Sequence, residues 1–465
     1  MKIETKYRQQ MQVGRRPDPK MFAALLTLAW PTILENLLET ILQYVDTAMV
    51  GHLGATATAT VSLSSTYTWL IQSVMGALGV GFLSYIARAI GEKDSLKIKT
   101  AARLAVIVTL IVGLVLMGVT LGIARYVPVW MGAEECIHAD ATRYFIYINL
   151  PMVFRAATII FGAAVRATGD TKTPMYVNVW INVLNIALNY TFIYLLGQGA
   201  VGAGMATAIS YTLGGVLMTI VFGRNRILRG GDTQVSPATR NDAKRVFGSI
   251  MTITVPIVLT RMASCFGHVI FTSFVSAMST IIYAAHAIAI TAEEIFYIPG
   301  YGMMAATATL IGNAIGEGDR KKERDVKVIA IGVIFALMCL SGLLLFVGAE
   351  FMMCLFTQDA QVIAIGTKLL RMVAFTEPVF GTSAVMEGIY NGMGQTRYPL
   401  VVELISMWGV RIVGSYICVH ILGLGITSVW IMMISNNILK AVLLAAGLVV
   451  LSRKRKENRA ERISE

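Results

Sequence analysis

The sequence divides into twelve apolar blocks of about 20–30 residues, separated by short polar turns. A helix rises 1.5 Å per residue, so about 20 apolar residues cross the hydrocarbon core of a bilayer. Each block is long enough for one span. They lie at roughly 22–50, 57–86, 97–124, 139–166, 173–196, 201–222, 246–277, 280–314, 326–349, 362–392, 398–421 and 425–451. Soluble helices carry a polar stripe, and most of these blocks have none. Only 14% of the residues are charged, against about 25% in ordinary soluble domains. The expected fold class is all-α integral membrane with twelve transmembrane helices.

The net charge of +12 would suggest a polyanionic partner in a soluble protein. Its distribution points instead to topology. Of 39 Lys and Arg, 31 fall in the tails and turns of one membrane side and four on the other: Arg125, Arg143, Lys368 and Arg371. Arg155, Arg261, Arg411 and Lys440 lie within spans. The positive-inside rule then places both termini in the cytoplasm, and the expected location is the plasma membrane. The run Arg453-Lys454-Arg455-Lys456 reads as a topology anchor, and no nucleic-acid partner is expected. The first 20 residues lack the apolar core of a signal peptide. The five cysteines have no paired spacing and read as free thiols.

Three features recur at an offset of 225 residues: Pro31 with Pro256, Ala89-Ile90-Gly91-Glu92 with Ala314-Ile315-Gly316-Glu317, and Gly169-x-Thr171-x-x-Pro174 with Gly394-x-Thr396-x-x-Pro399. The offset contains six spans, an even number, so the two halves share orientation and should be related by an axis along the membrane normal. The expected organisation is a tail (1–21), a six-helix bundle (22–223), a linker (224–245), a second bundle (246–451) and a basic tail (452–465). Duplicated bundles suit transport by alternating access. Pro31 and Pro256, which each remove a backbone hydrogen bond, are candidate hinges.

An ionisable side chain inside a span costs about 2.5–3.5 kcal/mol and marks a cavity or a partner. The first span holds Glu35, Glu39 and Asp46. At 100° per residue they share one face, with Asp46 nearest the outer side. The fifth span presents Asn178, Asn182, Asn185 and Asn189 on one face, as interhelical hydrogen-bonding residues or as a polar site. In the second half, Glu293, Glu294, Glu377 and Glu387 lie in spans, where Arg411 could pair with one of them or they could line a cavity. No phosphate-binding loop or histidine pair with metal spacing is present, and His286 and His420 stand alone.

Further motifs sit at fixed places. The first span carries Asp46-Thr47-x-Met49-Val50-Gly51-x-Leu53-Gly54. The fifth opens with Gly169-Asp170-Thr171-Lys172-Thr173-Pro174, the sixth has Gly204-x-Ala206-Thr207, and the eighth opens with Ala284-Ala285-His286. In order and spacing, over essentially the whole chain, they resemble the multidrug and toxic compound extrusion (MATE) transporters. The resemblance implies a V-shaped pair of six-helix bundles. It also implies cation-coupled antiport of small organic compounds, cationic or amphipathic. It is closer to the DinF-like branch, whose ion site in the N-terminal half maps onto Asp46, Asn185, Asn189 and Thr207. The second fifth-span position is often Asp in that branch and is Asn189 here, which points to H⁺ rather than Na⁺ as coupling ion. Another branch uses acids on the seventh and tenth spans. The seventh has none between Val246 and Ala277, so that site is not expected. Glu35 and Glu39 remain candidate cavity carboxylates, and Glu293 or Glu294 a candidate second proton site. No cofactor, metal or enzymatic activity is implied.

Rival readings fit the residues less well, a receptor or channel because of the two-fold repeat. A lipid-linked oligosaccharide flippase of the same superfamily should line its N-terminal cavity with several cations, and only Arg155 lies within those spans. A membrane-embedded enzyme needs a catalytic constellation near the headgroups, and the short outer turns supply little.

Overall fold

The computed structural model describes residues 18–230 and 239–464. Most of the expected N-terminal tail, with Gly231 and Pro237 of the linker and Glu465, lies outside the described residues. All twelve expected spans are helical. They are α1 (Pro19–Gly51), α2 (Ala55–Gly91), α3 (Ser95–Ile123), α4 (Glu135–Asn149 and Met152–Ala167), α5 (Lys172–Asn189, continued by a π-helical turn at Tyr190–Leu195) and α6 (Gly199–Arg224). The second half has α7 (Arg240–Ser276), α8 (Thr280–Gly316), α9 (Arg320–Cys354), α10 (Ala360–Ala374 and Glu377–Met393), α11 (Arg397–Glu403, then Leu404–Ile412, Val413–Tyr416 and Ile417–Ile421) and α12 (Ile426–Ser464). Two of the α11 segments, Leu404–Ile412 and Ile417–Ile421, are π-helical. The backbone expected as a tail from position 452 continues α12.

By length and composition, nine of the described helices can cross a membrane, and the two parts of α4, bent by 42°, form a tenth. α5 and α10 fall short for separate reasons. Four asparagines dilute the apolar character of α5. α10 is interrupted at Phe375–Thr376 and carries Lys368, Arg371, Glu377 and Glu387.

The repeat extends to atoms. α2 ends at Gly91 and α8 at Gly316, and the next helix in each half opens on an aspartate, Asp94 or Asp319. Asp94 accepts from Lys97 N and Asp319 from Lys322 N, satisfying a backbone donor that a helix start leaves open. Lys97 pairs with Glu92 at 2.6 Å and Lys322 with Glu317 at 2.8 Å. The turn residue between them has positive φ in both halves: 70° at Gly318 and 55° at Lys93, the one described non-glycine residue in that region. α4 breaks at Leu150–Pro151 and α10 at Phe375–Thr376, again 225 positions apart.

The chain forms two compact units, Trp30–Val258 and Leu259–Glu465 with the chain up to Ala29. The divisions fall inside α1 and α7, beside Pro31 and Pro256, both of which lie within unbroken helix. Below these are the N-terminal and C-terminal units. Lipid gives apolar helices no hydrophobic reason to associate, so close backbone approach does much of the packing. In the C-terminal unit Gly388 and Gly392, one turn apart on α10, lie against α8. A Cβ at these positions would sit 2.5 Å from the Met304 carbonyl oxygen and 2.6 Å from that of Ala308. Elsewhere in this unit Phe271, Leu370, Val429 and Trp430 are buried in one apolar cluster with Ala285, Ala289 and Ala292 of α8.

Candidate ion-coupling site

The three acids of α1 share a face, as their spacing requires, but meet different partners. Glu35 pairs with Arg166 Nη1 at 3.2 Å and also accepts from Asn178 Nδ2. Arg166, counted among turn residues by sequence, is in the last turn of α4 and turns inward to that acid. Glu39 accepts from Gln72 Nε2 at 3.0 Å, and Gln72 Oε1 in turn accepts from Arg155 Nη2. The Arg155 guanidinium lies 4.9 Å from the Tyr211 ring centre. Glu39 is thus linked through one amide to a buried cation. Asp46 has neither arrangement. Its Oδ1 accepts from Asn189 Nδ2 at 2.6 Å, and it takes part in no ion pair among the described residues.

The chain of contacts continues from Asp46 into the unit. Asn189 Nδ2 also donates to Asn185 Oδ1 at 3.0 Å, and Asn185 Nδ2 to Thr207 Oγ1 at 3.4 Å. The i, i+4 spacing of the two asparagines stacks them on one face of α5, and both are buried while Asp46 is half-buried. The π-helical turn begins one residue beyond Asn189 and brings Tyr194 Oη to the Met49 carbonyl at 2.9 Å, fastening α5 to the end of α1. Such insertions are frequent at functional sites because they re-aim side chains. Asn189 Oδ1 is buried without a hydrogen-bond partner. The four residues the family resemblance selects, Asp46, Asn185, Asn189 and Thr207, therefore form one connected group. Asn178 is separate and serves Glu35.

The C-terminal unit treats its acids differently. Lys440 of α12 pairs with Glu387 of α10 at 2.6 Å and Glu403 of α11 at 2.8 Å, and Ser264 of α7 donates to the other oxygen of Glu403. A π-helical segment again begins directly after the site residue, at Leu404. Glu293 and Glu294, adjacent on α8, point about 100° apart. Glu293 is buried and accepts from Tyr297 Oη, whereas Glu294 is exposed. They do not form one site. Glu377 is fully buried, with neither oxygen hydrogen-bonded. The expected partnership of Arg411 with a second-half acid is not seen among the described ion pairs. Its guanidinium lies 4.0 Å from the Phe271 ring centre, and the cation that meets Glu387 is Lys440. His286 is structural in its contacts, sharing a 3.2 Å hydrogen bond with Trp430 Nε1.

Sequence reasoning missed Gln72, Arg166 and Glu403 as partners. A charge inside a span marks a cavity or a partner, so Glu403 belonged among the candidate partners of Lys440.

The sequence model of the MatE family matches residues 31–191 and again 256–417, beginning at Pro31 and, 225 positions on, at Pro256. The chain belongs to the MatE family. Members of this multidrug efflux family are transporters, not enzymes, and the twofold match is the internal repeat itself. Over 433 residues the chain is 28% identical to "Probable multidrug resistance protein NorM" of Thermotoga maritima, covering 91% of each. Over 438 residues it is 23% identical to "Uncharacterized transporter YisQ" of Bacillus subtilis, covering 92% of this chain and 94% of that one. Among solved structures it resembles the outward-facing conformation of a multidrug resistance MATE family transporter of the MOP superfamily. The TM-score is 0.86 at 23% identity, covering 95% of this chain and 98% of the other. The fold is the twelve-helix, two-lobe fold of MATE transporters, and the protein is a multi-pass membrane transporter.

Proposed function

We propose that this transporter exports small organic compounds, cationic or amphipathic, across the plasma membrane in exchange for protons, and that Asp46 carries the coupling proton. One observation supports this above the others. Of three membrane-embedded acids on one face of α1, Glu35 and Glu39 are tied to arginines, directly or through Gln72, while Asp46 is held only by neutral amides. A nearby fixed cation favours the ionised form of an acid, whereas neutral donors supply no such counter-charge.

Charged Asp46 attracts a cationic substrate and keeps its surroundings hydrated. A proton arriving from the outer side cancels that charge and releases the substrate outward. Substrate and proton exclude each other, which antiport requires. An amide nitrogen of Asn189, not a second carboxylate, faces Asp46. A hard cation such as Na⁺ is best held by several oxygens and charges, so the donor set favours H⁺ over Na⁺ and the DinF-like arrangement of the site. Arg155 and Arg166 are engaged with Gln72 and Glu35, which argues against a flippase that binds pyrophosphate through free cations. The distribution of basic residues supports a cytoplasmic position for both termini and the linker.

The test is efflux of a small dye panel from proteoliposomes, with pH and Na⁺ gradients imposed separately. Export driven by a pH gradient at zero Na⁺ is expected. Export that responds to Na⁺ alone would overturn proton coupling.

A further inference from the structure

The C-terminal unit carries an open groove of about 910 Å³ between the end of α9, the first part of α10 and Ile434 of α12. Its volume is at the upper end of the range for small-ligand pockets, about 300–1,000 Å³. Phe346, Ile363 and Phe375 supply apolar walls, and three charges face the same space: Glu350, Lys368 and Arg371.

The depth of the groove follows from α9. Its charged start runs to Lys327, and the next charge is Glu350. The apolar stretch between them is about 22 residues, or roughly 33 Å, close to the thickness of the hydrocarbon core. Glu350 therefore marks the headgroup boundary on the membrane face opposite the start of α9. Arg371 lies 5.8 Å from the Phe346 ring centre, one turn below Glu350, where a long side chain reaches up to the headgroups.

Lys368 and Arg371 are one turn apart on the same face of α10. All three charged residues are exposed, and none forms an ion pair among the described residues. Opposite charges that share a groove yet stay apart leave room for a group carrying both signs. We propose that this groove binds a phospholipid with a primary ammonium headgroup, phosphatidylethanolamine in chemical terms. Its phosphate lies between Lys368 and Arg371, its ammonium on Glu350, and one acyl chain along Phe346, Ile363 and Phe375. Phosphate suits the two cations, and a primary ammonium donates hydrogen bonds to a carboxylate that a trimethylated one cannot. The aromatic wall, with Phe375 exposed to 73%, suits the chain.

Native mass spectrometry of the full-length protein, titrated with phosphatidylethanolamine, phosphatidylcholine and phosphatidylglycerol, tests this. The ethanolamine lipid is expected to bind about tenfold more tightly than the other two. Glu350→Gln should erase that preference while leaving phosphatidylglycerol binding intact. Lys368→Gln with Arg371→Gln should weaken all three lipids by about thirtyfold. Equal affinity of the wild type for the three lipids overturns the headgroup assignment. Binding unchanged in the double variant overturns the site, as does a transported dye that fills the groove without competing with lipid.

Discussion

One acid cluster in each unit meets its charge by a different means. In the C-terminal unit, Glu387 and Glu403 share the ammonium of Lys440, at 2.6 and 2.8 Å. In the N-terminal unit, Asp46 has only the Asn189 amide, backed by Asn185 and Thr207. A carboxylate with a built-in cation has its compensating charge supplied from within the fold. A carboxylate held by neutral donors has to take its neutralising charge from outside. The contrast is between these two clusters and not between whole lobes, since the C-terminal unit also buries Glu377 without a hydrogen bond and Glu293 with only the Tyr297 hydroxyl. Asp46 is the acid proposed to exchange. The same logic divides α1 internally, where Glu35 and Glu39 resemble the C-terminal acids and Asp46 does not.

The largest expected effect is at Asp46. Asp46→Asn keeps the shape and the contact with Asn189 but mimics a permanently protonated acid. Gradient-driven efflux should fall to background at normal membrane abundance, while Glu39→Gln should keep most of it. Dye efflux with quantified protein in the membrane distinguishes the two, and full efflux by Asp46→Asn would break the contrast between the clusters.

Next is Lys440→Gln, which leaves Glu387 and Glu403 close together without their cation. Removing one partner of a buried ion pair costs about 3–5 kcal/mol, and partial exposure of Lys440 places this variant at the low end. A marked loss of thermal stability in detergent is expected, recovered in large part by adding Glu403→Gln. An unaffected Lys440→Gln would mean that the ammonium is not what compensates these acids.

Asn189→Asp should have a smaller, qualitative effect. It places a second carboxylate beside Asp46, so export should become sensitive to Na⁺, read by repeating proteoliposome efflux with and without Na⁺. Unchanged ion preference would return Asn185 and Asn189 to a purely structural role.

The smallest effect concerns the matched turns of the repeat. Lys93 holds φ 55° where the other half has Gly318 at 70°. A left-handed conformation costs a non-glycine residue about 1–2 kcal/mol, so Lys93→Gly should stabilise by about 1 kcal/mol, read as a higher unfolding temperature with efflux unaltered.

How much of this was legible beforehand differs by level. The spans follow from apolar length, and the repeat from three short motifs in register. The grouping of Asp46, Asn185, Asn189 and Thr207 was available because i, i+4 spacing and family motifs pointed to the same positions. The ion pairs were harder. Glu35 and Arg166 are 131 positions apart, and Arg166 sits where a span meets a turn, so periodicity assigned it to the surface. Glu293 and Glu294 look equivalent in a string of letters but lie 100° apart on a helix, which separates buried from exposed. The π-helical segments left no trace in the pattern, because a shift of backbone hydrogen bonds by one residue barely changes which side chains are apolar. The break in α4 had a signal in Pro151, while that in α10 falls at Phe375–Thr376, where only the repeat offset reveals it.

The central claim is that Asp46 exchanges a proton for substrate. The direct measurement is proton release on substrate binding, followed with a pH indicator in weakly buffered detergent solution. Reciprocal linkage requires that a cationic substrate displace about one proton from the wild type at a pH where the acid is protonated. The account predicts this release in wild type and in Glu39→Gln, and none in Asp46→Asn. Equal release from wild type and Asp46→Asn would contradict it.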